Sequence, residues 1–317
     1  MEKDNLFGKT LSELGDITHK FGLPVYTARQ LADWLYKKDI SDIDQMSNIS
    51  KKNRDILMEN YQLGLSPYSK VQISADGTKK YLFPVANNKF IESAYIPETG
   101  RATLCLSSQV GCKMGCLFCM TGKQGFQGNL TATEILNQVK SLPERDKLTN
   151  LVYMGMGEPF DNLDELMKSL EILTSEWGFA MSPRRITVST IGITPSLKTF
   201  LTESQCHLAI SLHSPFEEER KKLMPIETVY PVKELIEYVK QFDWSKQRRI
   251  SIEYILFKGI NDTPLHVKEL SRILHGLQCR INLIRFHPIP DTPLSGTRNE
   301  DMVVFRDSLN ARGITAT

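Results

Sequence analysis

The amino-acid sequence predicts an α/β protein, in which a partial (β/α) barrel of the TIM type follows a small N-terminal accessory domain of helices and β-hairpins. From about residue 100 onward, short apolar strands alternate with amphipathic helices, an order typical of parallel sheets. Before that point the pattern consists of helices followed by hairpin strands. The length of 317 residues suits this division, because one domain takes roughly 150 residues. We place the predicted boundary between residues 97 and 98.

The accessory domain, residues 1–97, is predicted to contain two helices. Residues 27–38 and 50–61 carry apolar side chains at three- and four-residue spacing, and each stretch begins at a Thr or a Ser. Residues 71–97 then alternate apolar and polar residues around two turn sequences, Asp76-Gly77 and Asn87-Asn88. We therefore expect antiparallel hairpin strands after the helices.

The second domain, residues 98–317, is predicted to contain six strand–helix units. The strands are 102–107, 148–157, 184–190, 207–213, 248–257 and 280–288, and the helices are 131–142, 163–173, 193–201, 231–242, 265–277 and 299–313. In barrels of this kind, binding and catalytic residues lie where the strands end and the following loops begin. The ends of the predicted strands are therefore the places to search for a site.

Composition narrows the class of protein and its compartment. The hydrophobic fraction of 41% and the charged fraction of 24% are ordinary for a chain with an apolar core. No run of eighteen apolar residues predicts a membrane span, and the N-terminus has no apolar stretch of signal-peptide length. We expect a cytoplasmic protein without a membrane partner. A net charge of +2 does not by itself indicate a nucleic-acid partner.

Four of the six cysteines fall within fifteen residues, which in a reducing compartment indicates metal or redox chemistry. Cys112, Cys116 and Cys119 follow the first predicted barrel strand. Three thiolates on a cubane iron–sulfur cluster leave one iron free for a substrate, whereas electron-transfer clusters usually take four. The alternative is a structural zinc site with Cys105 as the fourth thiolate. The cluster is favoured, because zinc sites usually combine two CxxC-like pairs and this chain has one.

The CxxxCxxC pattern after the first strand of such a barrel resembles the radical S-adenosylmethionine (SAM) superfamily. Further motifs are similar to the RlmN/Cfr family of RNA adenine methyltransferases. In chain order they are RATLCLSSQVGCKMGCLFCMTGKQGF, MGMGEP, SPRRITVSTIGI, AISLHSP and INLIRFHP. The resemblance covers nearly all of the chain. It implies a radical SAM barrel, a 4Fe-4S cluster on the cysteine triad, and two SAM molecules per turnover, one as radical source and one as methyl donor.

The resemblance also implies which residues bind SAM. Gly157 and Glu158 close the second barrel strand, where a carboxylate can pair with an α-ammonium group, and the family uses this pair for the amino group of SAM. The other implied contacts are expected at the ends of the third, fourth and sixth strands, facing one mouth of the barrel. They are Ser189, Ser211, Leu212, His213 and Asn282.

The resemblance implies a radical mechanism, because C2 of adenine carries no acidic proton and is a poor nucleophile. In the family, one SAM methylates a cysteine near the C-terminus, and reductive cleavage of another yields a 5′-deoxyadenosyl radical that activates this methyl group. Glu92 matches the proton-accepting base of the family, and Cys105 matches a thiol that assists resolution of the product. Considered alone, Glu92 would face water and Cys105 would belong to a strand core.

The resemblance implies methylation of C2 of an adenosine in 23S rRNA, in the peptidyl transferase centre, and in tRNA beside the anticodon. A flavodoxin-type electron donor is expected. Two alternatives remain: a Cfr-type C8 methyltransferase and a non-catalytic RNA-binding protein with structural zinc. The adenosine should be single-stranded or flipped out. Candidate phosphate contacts are Arg101, Lys123, Arg184, Arg185, Arg220, Lys221 and Lys222.

The C-terminal end of the sequence departs from the family pattern. Family members continue with a last strand and a segment that contains the methyl-carrying cysteine, whereas this sequence stops at Thr317, where that strand begins. Cys206 and Cys279 are expected at the opposite end of the barrel from the cluster, because each precedes its predicted strand. We therefore expect a truncated form of a methyltransferase.

Overall fold

The computed structural model describes residues 3–244 and 250–317. Two compact units make up the chain. The first comprises Met1–Val110, Asn129–Gly155 and Asn162–Arg185, and the second comprises Gly111–Gly128, Met156–Asp161 and Ile186–Thr317. The predicted boundary after residue 97 stays a prediction. Arg248 and Arg249, the first residues of the fifth predicted barrel strand, lie outside the described residues.

Helices and short strands form the beginning of the first unit, and the antiparallel strands follow. Both predicted helices are present, and the first ends in a π-helical turn, Asp33–Lys37. The elements as far as residue 110 are β1 Asp4–Asn5, α1 Leu11–Lys20, α2 Thr27–Ala32, α3 Lys51–Asn60, β2 Tyr61–Gln62, β3 Lys70–Ile73, β4 Lys79–Val85, β5 Lys89–Glu98, β6 Arg101–Cys105 and β7 Gln109–Val110.

Helix α1 is absent from the sequence-based prediction. Thr10 caps it, because its hydroxyl accepts a hydrogen bond from the Glu13 N–H (3.2 Å) while the Glu13 carboxylate accepts one from the Thr10 N–H (2.7 Å). This reciprocal capping box is a recognisable start signal. Leu14 and Ile17 then form its buried face, so the helix could have been predicted.

The predicted hairpins are confirmed. Strands β3, β4, β5 and β6 pair antiparallel in chain order. Three residues, Ala86 to Asn88, join β4 to β5, and Asn87 and Asn88 have φ angles of 61° and 55°, a left-handed conformation that asparagine tolerates. At the other turn, the Thr78 N–H donates to the Asp76 side chain (3.0 Å). Turn chemistry thus fixes the register of this sheet.

The remaining α-helices and strands include the predicted alternation. In chain order they are α4 Met120–Lys123, β8 Gly128–Asn129, α5 Ala132–Lys140, β9 Asn150–Tyr153, α6 Leu163–Thr174, β10 Ile186–Thr190, α7 Thr194–Glu203, β11 His207–Ser211, α8 Glu217–Leu223, α9 Val232–Lys240, β12 Ile250–Leu256, α10 Pro264–Ile273, β13 Cys279–Arg285, α11 Asn299–Asn310 and β14 Thr315–Ala316. Two short helices, α4 and α8, and the short strand β8 were not predicted.

Parallel pairing holds where the alternation predicts it. In the first unit β6 pairs parallel with β9. In the second unit β10 to β14 form a parallel sheet in chain order. Its inner strands are buried on both faces, as Leu208, Ala209 and Ile210 of β11 show. Within the described part of the chain, no helix has the length and apolar character to cross a bilayer.

Candidate active site

The predicted cysteine triad lies in one loop of the second unit, Gly111–Gly128. This loop folds closely on itself. At Gly111, whose φ is +72°, an added Cβ would lie 1.8 Å from the carbonyl oxygen of Gly125, so no larger residue fits. The Cys119 N–H donates to the Cys116 carbonyl oxygen (3.1 Å), which forms a tight turn between two of the three cysteines.

The three thiols influence one another electrostatically. Burial, assisted by neighbouring cysteines, raises the pKa of Cys112 to about 11 and that of Cys116 to about 12. Ligand thiols must lose their protons, so they need positive charge close by, which iron supplies. Among the described residues, no three His, Cys, Asp or Glu side chains are arranged to hold a single metal ion. The triad fits a cubane cluster better, because each thiolate then binds its own iron.

A row of polar side chains lies on one face of the parallel sheet. Ser211 pairs in register with Glu253, and Glu253 with Asn282, and such neighbours share a face. Ser189 lies on the same face, because it pairs with Ala209, two residues before Ser211. The Ser189 and Ser211 hydroxyl oxygens are 3.4 Å apart. We call Ser189, Ser211, Glu253 and Asn282 the polar row.

The position of Asn282 corrects one expectation. This residue does not end the sixth barrel strand, because β13 continues to Arg285. Strands β12 and β13 are each seven residues long, whereas β10 and β11 have five, so Asn282 is internal to its strand yet level with the end of β11. Its amide nitrogen donates to the Glu253 carboxylate (2.7 Å).

Glu253 is a candidate that the sequence-based prediction missed. Its side chain is buried, and burial raises its pKa, while hydrogen bonds from Asn282 and Ser251 oppose the rise. A single carboxylate within the apolar stretch ISIEYILF was the available signal, since buried carboxyl groups with shifted pKa values concentrate at functional sites.

Glu158 is buried, with 4% of its surface exposed. Its carboxylate accepts hydrogen bonds from the Thr190 hydroxyl (2.7 Å), the Ile191 N–H (3.1 Å) and the Phe160 N–H (3.2 Å). Burial raises the pKa of Glu158 to about 7, and these three hydrogen bonds oppose that rise. Gly157 has a φ of +98°, a conformation that favours glycine. The pair therefore forms a fixed turn that presents a buried carboxyl.

His213 is a buried, neutral histidine in an uncommon backbone conformation, with a φ of +57°. The Ile255 N–H donates to its Nδ1 (3.0 Å), so the ring proton of the neutral form is on Nε2. Burial, assisted by the charge of Arg220, lowers the pKa of His213 to about 3. The preceding Leu212 has a fully buried side chain. Its backbone groups also have partners, because its N–H donates to the Glu253 carbonyl oxygen (3.1 Å) and its carbonyl oxygen accepts from Arg220 Nε (3.0 Å).

The two predicted catalytic residues lie in the first unit, on neighbouring strands. Cys105 of β6 pairs with Ala94 of β5, and Glu92 lies two residues before Ala94. Glu92 and Cys105 therefore share a face as diagonal neighbours. The Glu92 side chain is 48% exposed and forms an ion pair with Lys80 (3.1 Å). Burial raises the pKa of the Cys105 thiol to about 11.

Known proteins are similar to this chain in sequence and in fold. The family model of the radical SAM superfamily matches residues 106–270, and that of the ribosomal RNA large subunit methyltransferase N-terminal domain matches residues 4–63. A probable dual-specificity RNA methyltransferase RlmN of Parabacteroides distasonis is 56% identical over 317 residues, which are 100% of this chain and 92% of the relative. The chain belongs to the RlmN family of radical SAM methyltransferases. A relative of the same description in Bacteroides fragilis is 54% identical with the same coverage.

Family membership confirms the predicted fold class and the class of enzyme. A crystal structure of a radical SAM methyltransferase from Sphaerobacter thermophilus has a TM-score of 0.92 and 39% sequence identity, and the match covers 99% of this chain and 94% of that one. The chain is an RNA methyltransferase of the RlmN family that uses a 4Fe-4S cluster and two SAM molecules per turnover. The prediction of a C-terminal truncation stays a prediction.

Three of the basic residues named as phosphate contacts have other partners in this RlmN-family structure. Arg101 Nε donates to the Thr103 hydroxyl (3.1 Å). Arg220 is fully buried and forms an ion pair with Glu227, so its assignment as a phosphate contact was wrong. The Lys123 ammonium donates to the carbonyl oxygens of Pro290 and Asp291.

A Glu158→Gln variant tests the buried carboxyl of this family member. The pKa of Glu158, about 7, lies above the ordinary value of 4.5. The protonated carboxyl therefore makes its full contribution to the free energy of unfolding below pH 4.5. This contribution is lost as the pH rises to about 7. Relative to wild type, the variant should gain on the order of 3 kcal/mol in free energy of unfolding across this pH range.

Urea unfolding of the apo-protein at a series of pH values measures this difference. Glu237→Gln, which changes an exposed carboxyl of α9, serves as the matched control and should show no such slope. A Glu158→Gln difference that stays level between pH 4.5 and 7 would contradict the assigned burial.

Proposed function

We propose that this chain methylates C2 of an adenosine in 23S rRNA, and an adenosine of tRNA beside the anticodon. The observation that carries the proposal is the grouping, within one compact unit, of three thiols, a buried carboxyl and the polar row. A cluster and SAM require groups of this kind. Relatives described as dual-specificity RNA methyltransferases agree with two RNA substrates.

Cys112, Cys116 and Cys119 are the proposed cluster ligands. When bound, the cluster supplies the electron that cleaves SAM reductively. The thiols provide three ligands from one closed loop, so the fourth iron has no protein ligand and is available to SAM. This division of ligands distinguishes a substrate-binding cluster from an electron carrier.

Replacing each of these cysteines by alanine tests the ligand assignment. Each variant should lose most of its iron after anaerobic reconstitution, because two thiolates hold a cubane poorly. The Cys279→Ala variant, which removes a thiol at the amino end of β13, should retain the iron content of the wild type. Iron and sulfide analysis with absorption spectra measures both. Full iron content in any of the three variants contradicts the assignment of that cysteine.

Glu158 is the proposed acceptor of the SAM α-ammonium group. Three protein donors hold the Glu158 carboxylate in one orientation. A buried carboxylate of fixed orientation is suited to a charge-assisted hydrogen bond with an ammonium group. A cation there would favour the charged carboxylate and offset the effect of burial. The Gly157 turn leaves the backbone open to close approach of the ligand.

The polar row supplies the other proposed SAM contacts. The Ser189 and Ser211 hydroxyls can donate and accept hydrogen bonds, and the Asn282 amide is oriented by Glu253. The His213 Nε2–H is available as a donor because Nδ1 already accepts from Ile255. Together these groups suit the hydroxyl and ring nitrogen atoms of an adenosyl moiety.

Glu92 and Cys105 are the proposed catalytic pair on the RNA side of the reaction. Their shared face on β5 and β6 supports this assignment, since a base and a thiol that act on one adduct must reach the same space. Glu92 is half-exposed, so its carboxylate can be reached as a proton acceptor. The buried Cys105 thiol keeps its own proton until the product is resolved.

A Glu92→Gln variant separates SAM cleavage from product formation. The yield of methylated RNA should fall by roughly 10²- to 10⁴-fold, as expected for loss of a general base, while 5′-deoxyadenosine still forms. The control Lys80→Met removes the exposed ion-pair partner of Glu92 and should change the rate by less than about fivefold. Equal loss of both products in Glu92→Gln contradicts a role confined to the adduct.

Product analysis tests the whole proposal. The natural protein, reconstituted anaerobically, is incubated with SAM, a reductant and an rRNA fragment or tRNA, and the products are identified by mass spectrometry. We expect 5′-deoxyadenosine and 2-methyladenosine. Formation of 8-methyladenosine instead would support the Cfr-type alternative, and bound zinc without SAM cleavage would support the non-catalytic alternative.

A cytoplasmic flavodoxin system is the proposed electron donor, and replacing the chemical reductant with flavodoxin and its reductase tests this.

A further inference from the structure

Arg220 is a fully buried arginine in helix α8. Moving a guanidinium group from water into a protein interior costs several kcal/mol unless hydrogen bonds and an opposite charge compensate. Its sequence context, EEERKKL, resembles a solvated helix. The burial of this one residue therefore requires a set of partners.

The guanidinium group donates to three backbone carbonyl groups. Nε donates to Leu212 O (3.0 Å), and Nη2 donates to Ile191 O (2.8 Å) and Ser211 O (3.1 Å). These carbonyl groups lie at and just beyond the ends of β10 and β11. The third nitrogen, Nη1, contacts the Glu227 carboxylate. One side chain thus joins the loops that follow two neighbouring strands.

The same two loops carry the proposed SAM contacts. The Ile191 N–H donates to Glu158 (3.1 Å), so a shift of this peptide would move the carboxylate. Ser211 and Leu212 belong to the proposed SAM site, and both offer their carbonyl groups to Arg220. Guanidinium geometry suits this task, because its five N–H groups point in fixed directions.

Arg220 also places positive charge near the cysteine loop. A Cβ added at Gly115 of that loop would lie 3.9 Å from the ring of Pro225, which follows α8. Helix α8 is joined to that loop by the hydrogen bond from Leu117 N–H to Leu223 O (2.9 Å). Reduction potentials of iron–sulfur clusters depend on the net charge around them. The charges of Arg220 and Glu227 therefore contribute to the electrostatic potential at the proposed cluster site.

We propose that Arg220 is a positioning residue with two separable effects: its guanidinium fork fixes the loops after β10 and β11 for SAM binding, and its charge raises the cluster potential. The inference rests on the proposed cluster and SAM sites. The geometric effect depends on the planar fork, and the electrostatic effect depends on the balance of Arg220 against Glu227.

Two substitutions separate these effects. Arg220→Lys keeps the charge but cannot reach three carbonyl groups in different directions. Glu227→Gln keeps the fork and still offers an oxygen to Arg220 and to the Val232 N–H, which Glu227 also binds, but it removes the balancing negative charge. Arg272→Lys is the control, because Arg272 is an exposed arginine of α10 paired with Glu269.

Three measurements on the reconstituted or apo-protein give the readouts. These are the SAM dissociation constant, the cluster midpoint potential from a redox titration followed by electron paramagnetic resonance, and amide hydrogen exchange of the apo-protein at Ile191 and Leu212. We expect Arg220→Lys to weaken SAM binding about tenfold, equivalent to ~1.4 kcal/mol, and to accelerate exchange at both amides, with an unchanged potential. Glu227→Gln should raise the potential and leave SAM affinity near that of the wild type.

Two results would overturn the inference. One is wild-type SAM affinity and wild-type amide exchange in Arg220→Lys, and the other is an unchanged or lowered potential in Glu227→Gln. If Arg220→Lys fails to fold, Glu227→Gln and Arg220→Gln give the potential and the exchange rates. Wild-type protein that holds no cluster and cleaves no SAM contradicts the proposed function itself, so the two failures are distinguishable.

Discussion

The register of the parallel strands β10 to β13 is the constraint on which the rest of the site depends. Side chains alternate between the two faces of a strand, so a slip of one residue would turn the whole polar row away from its present face. A row of fully buried isoleucines on the opposite face opposes such a slip, because it would expose them to a polar environment. They are Ile210, Ile252 and Ile281, paired side by side.

Buried polarity is the second theme of the molecule. Glu158, His213 and Arg220 have almost no contact with water. The side chains of Glu158 and Arg220 each form several hydrogen bonds, and the His213 ring accepts one at Nδ1. In a medium of low polarisability such interactions are strong, and they hold the groups in single orientations. The same medium makes each group sensitive to its neighbours, as the lowered pKa of His213 illustrates.

Much of the fold could be predicted because its signals are local. Alternating periodicity located the strands and helices of both units, and Asn87-Asn88 fixed a hairpin turn. The cysteine triad was visible for the same reason, since its spacing lies within one loop. Helix α1 was missed although Thr10 and Glu13 form a capping box, so that omission reflects an unused signal.

Other features could not be predicted from local patterns. The burial of Arg220 depends on carbonyl groups from two loops that are distant in sequence, and nothing in EEERKKL specifies them. Asn282 is internal to β13 but level with the end of β11, and this position depends on the unequal lengths of the two strands. Family resemblance identified the proposed SAM residues. The Glu253 carboxylate was visible within an apolar stretch, but its place between two of those residues required the strand register.

The close contact between Gly111 and Gly125 has a consequence for cofactor loading. Ordering one residue of backbone costs about 1–2 kcal/mol of conformational free energy at room temperature. Because the loop closes through its own backbone, much of this ordering occurs when the chain folds and not when iron and sulfide arrive. The thiols then meet the incoming cluster as a preformed template, and the shape of an apo-protein loop becomes a determinant of how readily the enzyme matures.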